Sequence, residues 1–330
     1  MPTEGVTTYH DEVFGDISMN NEELQDQILM KADGYPTYNF CHVIDDYLMG
    51  VTHVVRGSEY LTSTPKYVLL YDAFGWERPT YVHLPLLMGK DAEGNISKLS
   101  KRHGAVSFQD LVADGYLPEA IINYISLLGW CPKGGEQEFF TLDELKAAFT
   151  IDGVSKSPSV FDFEKLLWFN GEYIHKLEDA DFNEKVADFI KSDIPTTVNK
   201  DKMLSLLKTR IAKLSEMDEK MAFFLALPEY DKELFLNKKN KIADFEIVKT
   251  VLGEAKAILE NVESFDNDTL FAALMPIAEK LAIKTGTLMW CIRIAVSGMA
   301  ATPGGATEIM EVIGKDESLK RIDVALAKLQ

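Results

Sequence analysis

From residue 179 to its C-terminus the chain carries apolar residues at helical spacing and almost no strand pattern. Helices fit 181–192, 201–214, 217–226, 243–261, 268–283, 286–298, 305–314 and 316–328, with polar or Pro/Gly breaks between them. No repeat of fixed period joins them. Nearly half of the 330 residues is therefore committed to an all-helical array, and any α/β character must lie before it.

It does. Residues 37–44 are rich in aromatic and β-branched side chains and read as a strand, and 52–56 as a second. Ser63-Thr64-Pro65 opens a helix with Tyr67, Leu70, Tyr71 and Phe74 as its apolar stripe and Gly75 as its stop. Residues 81–88 read as one further strand, followed by a turn at 91–95. From about residue 106 the pattern turns helical. Ser107-x-x-Asp110 and Thr141-x-x-Glu144 have the form of capping boxes, and Pro118 starts a helix reaching Gly129 with Ile121, Ile122, Tyr124, Ile125 and Leu128 on its buried side. Another helix starts at Asp162.

Composition narrows the class. With 46% apolar and 26% charged residues the chain is globular, not disordered. No apolar run approaches the roughly 20 residues of a membrane span, so no membrane partner is expected. Cys41, Cys131 and Cys291 are far apart and form no Cys-x-x-Cys pair, so neither protein-bound zinc nor a disulfide framework is expected, and a reducing cytoplasm fits. The net charge of −18 argues against indiscriminate nucleic-acid binding. Local basic strips remain, around Lys98–His103, around Lys200–Lys213 and at Lys238, Lys239 and Lys241. Each is equally readable as solvated surface.

The sharpest chemical signal is Lys98-Leu99-Ser100-Lys101-Arg102, two lysines and a serine on a loop after a strand hairpin. Ammonium groups at this spacing can clamp a polyphosphate whose charge is shifting, with serine and backbone N–H groups as further donors. Four segments lead to it in order: Asp33-Gly-Tyr-Pro-Thr-Tyr38-Asn-Phe40, Val43-Ile-Asp-Asp46, Thr52-His-Val-Val-Arg56-Gly57 and Ser63-Thr-Pro-Lys66. Gly115–Ala120, Leu128-Gly-Trp130, Val154-Ser-Lys-Ser157 and Phe161–Ile174 follow.

This series resembles bacterial glutamyl-tRNA synthetases of class I, and the resemblance extends over essentially the whole chain. It implies an α/β remnant, the second half of a class I Rossmann-type catalytic domain, followed by a mostly α stem-contact domain and an all-α anticodon-binding domain. The implied division is 1–30 as the end of the acceptor-binding insertion, 31–105 as catalytic half-domain, 106–178 as stem-contact domain and 179–330 as anticodon domain. The implied activity is ATP-dependent attachment of glutamate to tRNA-Glu through glutamyl-adenylate, with Mg²⁺ arriving on ATP, in a cytoplasmic and usually monomeric enzyme.

Carried over by position, Lys98, Ser100 and Lys101 are the catalytic candidates. Lys98 to Arg102, Leu99 included, with Glu59, form the ATP-binding set, and Tyr38, His42 and Arg56 the glutamate-binding set. Lys208, Arg210 and Arg293 are candidate tRNA contacts. Plainer readings exist: Tyr38 as core, His42 as a structural histidine, the helical cations as surface charge. Ser58-Glu59-Tyr60 departs from the family's commoner Glu-Asp-His.

The class also has a first signature, His-x-Gly-His. His10, His42, His53, His83, His103 and His175 cannot form it. The sequence thus reads as an incomplete copy, and the alternative to a ligase is a catalytically inactive tRNA-binding fragment. A sheet lacking its other half is expected to expose apolar edges over residues 1–100 and to favour self-association. Glutaminyl relatives carry β-barrels where this chain is helical, which disfavours glutaminyl specificity.

Overall fold

The computed structural model describes residues 1–91, 93–100 and 107–330. The chain divides into two compact units. One comprises Met1–Leu111 with Pro118–Leu166, the other Val112–Leu117 with Leu167–Gln330.

The first unit holds a four-stranded sheet in the order β2-β1-β4-β3. Strand β1 (Val6–Asp11) pairs antiparallel with β2 (Gly15–Asn20) and parallel with β4 (Thr80–Leu84), and β4 pairs parallel with β3 (His53–Gly57). The register sets Arg56 opposite His83. Helix α1 (Tyr38–Leu48) precedes β3, and α2 (Thr64–Phe74) links β3 to β4 as a parallel crossover. A second sheet, β6-β5-β7, contains β5 (Leu87–Lys90), β6 (Ile96–Lys98) and β7 (Ser159–Val160).

Two strand readings need correction. Residues 37–44, expected as a strand, form the start of α1. β-branched content suggested extension, but Phe40, Val43 and Tyr47 recur at helical spacing. Val43 is fully buried against Tyr67, Leu70 and Tyr71 of α2, with Phe40 beside it. Thr37 is the extended cap from which Phe40 and Cys41 begin the helical bonds. The single strand expected over 81–88 is two strands in different sheets, split at Pro85, which cannot donate to a ladder.

The α2 reading holds, with Gly75 closing the helix at φ 67°, although Phe74 is exposed and the Ser63 side chain makes no cap bond. Helices α3 (Phe108–Ala113), α4 (Pro118–Gly129), α5 (Leu142–Ala148) and α6 (Phe163–Lys176) follow. The Thr141/Glu144 box is formed, and Ser107 Oγ accepts from the Asp110 N–H. Ile125 is exposed, contrary to expectation. It borders an apolar hollow of about 660 Å³ that Val55, Val82, Leu84, Trp130 and Phe149 also line.

Along β3 the open edge is real. Val55 is 57% exposed and β3 has no further strand beside it among the described residues. On the other side the sheet is packed, with Tyr9, Val68 and Tyr81 forming a small core. Apolar exposure within 1–100 extends beyond β3, to Ile28, Leu48 and Met49, each more than 70% exposed.

The second unit is helical: α7 (Asp179–Val186), α8 (Lys200–Lys208), α9 (Met217–Leu225), α10 (Phe245–Leu259), α11 (Asn267–Lys280), α12 (Thr285–Ser297) and α13 (Ala306–Lys328). Asn199, Asp244 and Asp266 cap α8, α10 and α11 through their side chains. The break expected near 314–316 is Gly314, at φ 79° and ψ 173° inside α13. Helices 181–192 and 201–214 end sooner than expected, at Val186 and Lys208.

Candidate functional site

Arg56 sits at the end of β3 between two aromatic rings. Its guanidinium carbon lies 4.8 Å from the centroids of both Tyr60 and Tyr67. Its Nε–H donates to His83 Nε2 at 3.2 Å and its Nη2 to Thr64 Oγ1 at 2.7 Å. Tyr38, in the first turn of α1, packs tilted against His42 with ring centroids 5.0 Å apart and lies 6.1 Å from Tyr60. His42 in turn meets the Tyr67 ring edge-on at 4.4 Å. The three candidates for glutamate binding, Tyr38, His42 and Arg56, are thus gathered from α1 and β3, with the aromatic rings of Tyr60 and Tyr67 completing the wall.

Burial pushes the His42 imidazole below its ordinary pKa, and the Asp46 carboxylate at 3.4 Å from Nδ1 only partly opposes this. Its Nε2 is buried without a hydrogen-bond partner. A neutral imidazole with Nδ1–H toward Asp46 presents Nε2 as a vacant acceptor.

Past Arg56 the chain turns tightly and brings Glu59 over Gly57, into the space a Cβ would fill. Glu59 Oε1 accepts from Lys98 Nζ at 2.7 Å. That bond holds the Glu59 carboxyl below, and the Lys98 ammonium above, their ordinary pKa values. Both side chains reach solvent, so the pair is screened and easily exchanged for another charge partner. Lys98 ends β6, and the Leu99 N–H returns to Leu87 O at 2.9 Å. Ser100 is half-buried. Lys101 and Arg102 lie outside the described residues.

In the second unit Lys208 Nζ donates to Leu177 O at 2.8 Å and to Asp179 at 2.6 Å, closing the end of α6 and the start of α7. Only 14% of its side chain is exposed, so it is spent on internal packing. Arg210 Nε donates to Pro303 O at 3.3 Å and borders a cavity of about 500 Å³ with Phe223, Pro228 and Met299. Arg293 has a buried Nε with no partner. In the first unit Tyr38, His42 and Arg56 meet around the Tyr60 and Tyr67 rings, and Glu59 meets Lys98.

A family model described as "tRNA synthetases class I (E and Q), catalytic domain" matches residues 1–168. The chain belongs to this glutamyl- and glutaminyl-tRNA synthetase family. A model described as an anticodon binding domain matches residues 171–326 of the same family member. The chain is 49% identical over its whole length to a glutamate–tRNA ligase of Clostridium kluyveri, and 47% identical to that of Clostridium tetani. It spans 66% of the length of each. Among solved structures, a glutamate tRNA ligase from Elizabethkingia meningosepticum in complex with its amino acid matches all of this chain, with a TM-score of 0.88 and 29% identity. The chain covers 68% of that structure. These relatives agree with the class I catalytic and helical anticodon-domain architecture expected from sequence.

The sequence reading missed Thr64, His83 and Asp11, which anchor Arg56 from behind. His83 Nδ1 lies 2.6 Å from Asp11 Oδ2, and both residues are fully buried. The available signal was a histidine in the middle of an apolar strand, Tyr81-Val-His-Leu84, which needed a partner that local sequence could not supply.

Proposed function

We propose that this chain carries part of the active site of a glutamate–tRNA ligase together with its tRNA-reading helices. The reaction activates glutamate with ATP and substrate-borne Mg²⁺ to glutamyl-adenylate, releasing pyrophosphate, and passes glutamate to the terminal ribose of tRNA-Glu. The single observation that supports this most is the Arg56 cage. A fixed guanidinium flanked by Tyr60 and Tyr67, with Tyr38 and the vacant His42 Nε2 on the same wall, suits an amino acid that brings carboxylates and an ammonium together.

Glu59 and Lys98, three and forty-two residues on, are the proposed nucleotide neighbours, with Leu99, Ser100, Lys101 and Arg102. ATP phosphates would take the place of Glu59 on Lys98. Arg210, which is exposed, is the best placed of the proposed tRNA contacts, since Lys208 is engaged at a helix junction and the Arg293 Nε is buried. Residues 1–30, 31–105, 106–178 and 179–330 are the proposed functional divisions, and the cytoplasm the proposed location.

A second reading is tRNA binding without catalysis. It is favoured by the absence of a His-x-Gly-His signature from the 330 residues. Two measurements on the same chain separate the readings. Binding of tRNA-Glu, weakening as salt rises, is expected under both. Glutamate-dependent ATP–pyrophosphate exchange in the presence of tRNA, lost in Lys98→Ala, is expected only of a chain with catalytic competence. Binding without exchange selects the second reading, and no salt-sensitive binding of tRNA-Glu sinks both.

A further inference from the structure

We propose that Asp11 and His83 are positioning residues that lock the Arg56 guanidinium in one orientation, by holding the imidazole as its Nδ1–H tautomer. The functional part rests on the reading of Arg56 as a carboxylate-binding group. The geometric part stands on its own.

Arginine carries donors only. Its Nε–H points at His83 Nε2 at 3.2 Å, closer than the Thr64 Oγ1 that stands 3.3 Å from the same nitrogen, so that nitrogen offers its lone pair to the guanidinium. The Thr64 hydroxyl donates to Tyr60 O at 2.8 Å and therefore receives Arg56 Nη2 on its own lone pair. The imidazole proton is left on Nδ1, where Asp11 Oδ2 accepts it at 2.6 Å. Asp11 is itself immobilised. Its Oδ1 accepts from the backbone N–H groups of Val13 and Phe14 at 3.0 and 2.9 Å, and its Oδ2 also accepts from the His83 N–H at 3.1 Å.

The relay therefore crosses three adjacent strands, β1, β4 and β3, and fixes the guanidinium Nε, while Thr64 of α2 fixes Nη2. With the plane set, the direction of the third nitrogen follows, and bidentate capture of a carboxylate needs a set plane. A second proton on the imidazole would face the Arg56 donor. Burial lowers the His83 pKa, and the Arg56 charge adds to this, while the Asp11 hydrogen bond and charge oppose it and the Glu59 charge adds slightly to that opposition. The imidazole is thus kept neutral in a site that also contains a permanent cation.

Asp11→Asn tests the lock at constant size. The amide oxygen is drawn to the two backbone N–H groups, which leaves NH2 facing His83 and forces the Nε2–H tautomer against Arg56. The readouts are the His83 ring ¹⁵N shifts, solvent exchange of the Arg56 Nε–H, and glutamate affinity by NMR titration of the full chain. The expected result is an Nδ1–H tautomer in the wild-type chain, its reversal in Asp11→Asn, and Nε–H exchange faster by about ten-fold, the equivalent of one lost charged hydrogen bond.

If Asp11→Asn does not fold, the His83 pair decides. His83→Asn keeps a donor for Asp11 but cannot reach Arg56 and should loosen it equally, whereas His83→Gln restores an acceptor near Nε2 and should rescue it. An Nε2–H tautomer in the wild-type chain, or Nε–H exchange unchanged in Asp11→Asn and His83→Asn, overturns the proposal. Arg56→Lys separates the two layers. If it leaves glutamate binding intact, the carboxylate reading of Arg56 falls, and the exchange data still decide the lock.

Discussion

Replacing Arg321 by methionine is expected to cost about 3–5 kcal/mol, the range for removing one member of a buried ionic network. Arg321 is 1% exposed. Its Nη1 donates to Phe223 O at 2.8 Å and Val296 O at 2.7 Å, its Nη2 to Phe224 O at 3.0 Å, and its Nε to Glu317 at 2.8 Å. Those carbonyls belong to the last turns of α9 and α12, where no intrahelical N–H remains to donate to them. One guanidinium thus closes two helix ends and sits where both helix dipoles favour a cation. Methionine keeps the apolar stem and abandons three buried carbonyls. Arg321→Lys should recover less than half, because an ammonium lacks the planar fork. Urea unfolding gives the loss, and amide exchange in α9 and α12 gives its location. A loss under about 1 kcal/mol, the net worth of one ordinary hydrogen bond, would contradict this account.

Gly115→Ala should be comparably damaging for a different reason. Gly115 has φ +91°, and a Cβ there would lie 2.5 Å from the Ser215 nitrogen and 3.0 Å from that of Leu214. Its carbonyl accepts from the Leu214 N–H at 3.0 Å, and the Asn170 side chain, which also receives the Leu117 N–H at 2.7 Å, fixes the same loop. Backbone cannot rotate away as a side chain can. The left-handed conformation costs about 1–2 kcal/mol and the overlap about 1–3 more. Gly75→Ala is the control. Its φ of +67° is equally left-handed, but nothing lies within 4 Å of the new Cβ, so only the conformational cost should appear. Equal losses for the two variants in the same urea titration would remove the clash from the explanation.

What the sequence made legible was largely local. The Thr141 box, the Pro118 start, the Gly75 stop and the Gly314 break each depend on a few neighbouring residues, and each appears in the structure. The miss at α1 arose because β-branched residues there pack against α2, a contact that propensity does not contain. At the site, Tyr38, His42 and Arg56 could be named from the motif series. What holds Arg56 could not, because Asp11 and His83 are 72 residues apart and meet only through the sheet order. Lys208 shows the converse. Its charge marked it as a candidate RNA contact, and packing has used that charge at a helix junction.

The open side of β3 has a bearing on time as well as on structure. Its amides and carbonyls, with Val55 standing out beside them, form a template that any extended segment can read. Reaching the native sheet is a first-order event for a single chain, whereas capture by another chain is second order. Dilution therefore favours the native route and crowding the other. An extended segment of a second chain that paired there would compete with the native sheet at the very strand that supplies Arg56.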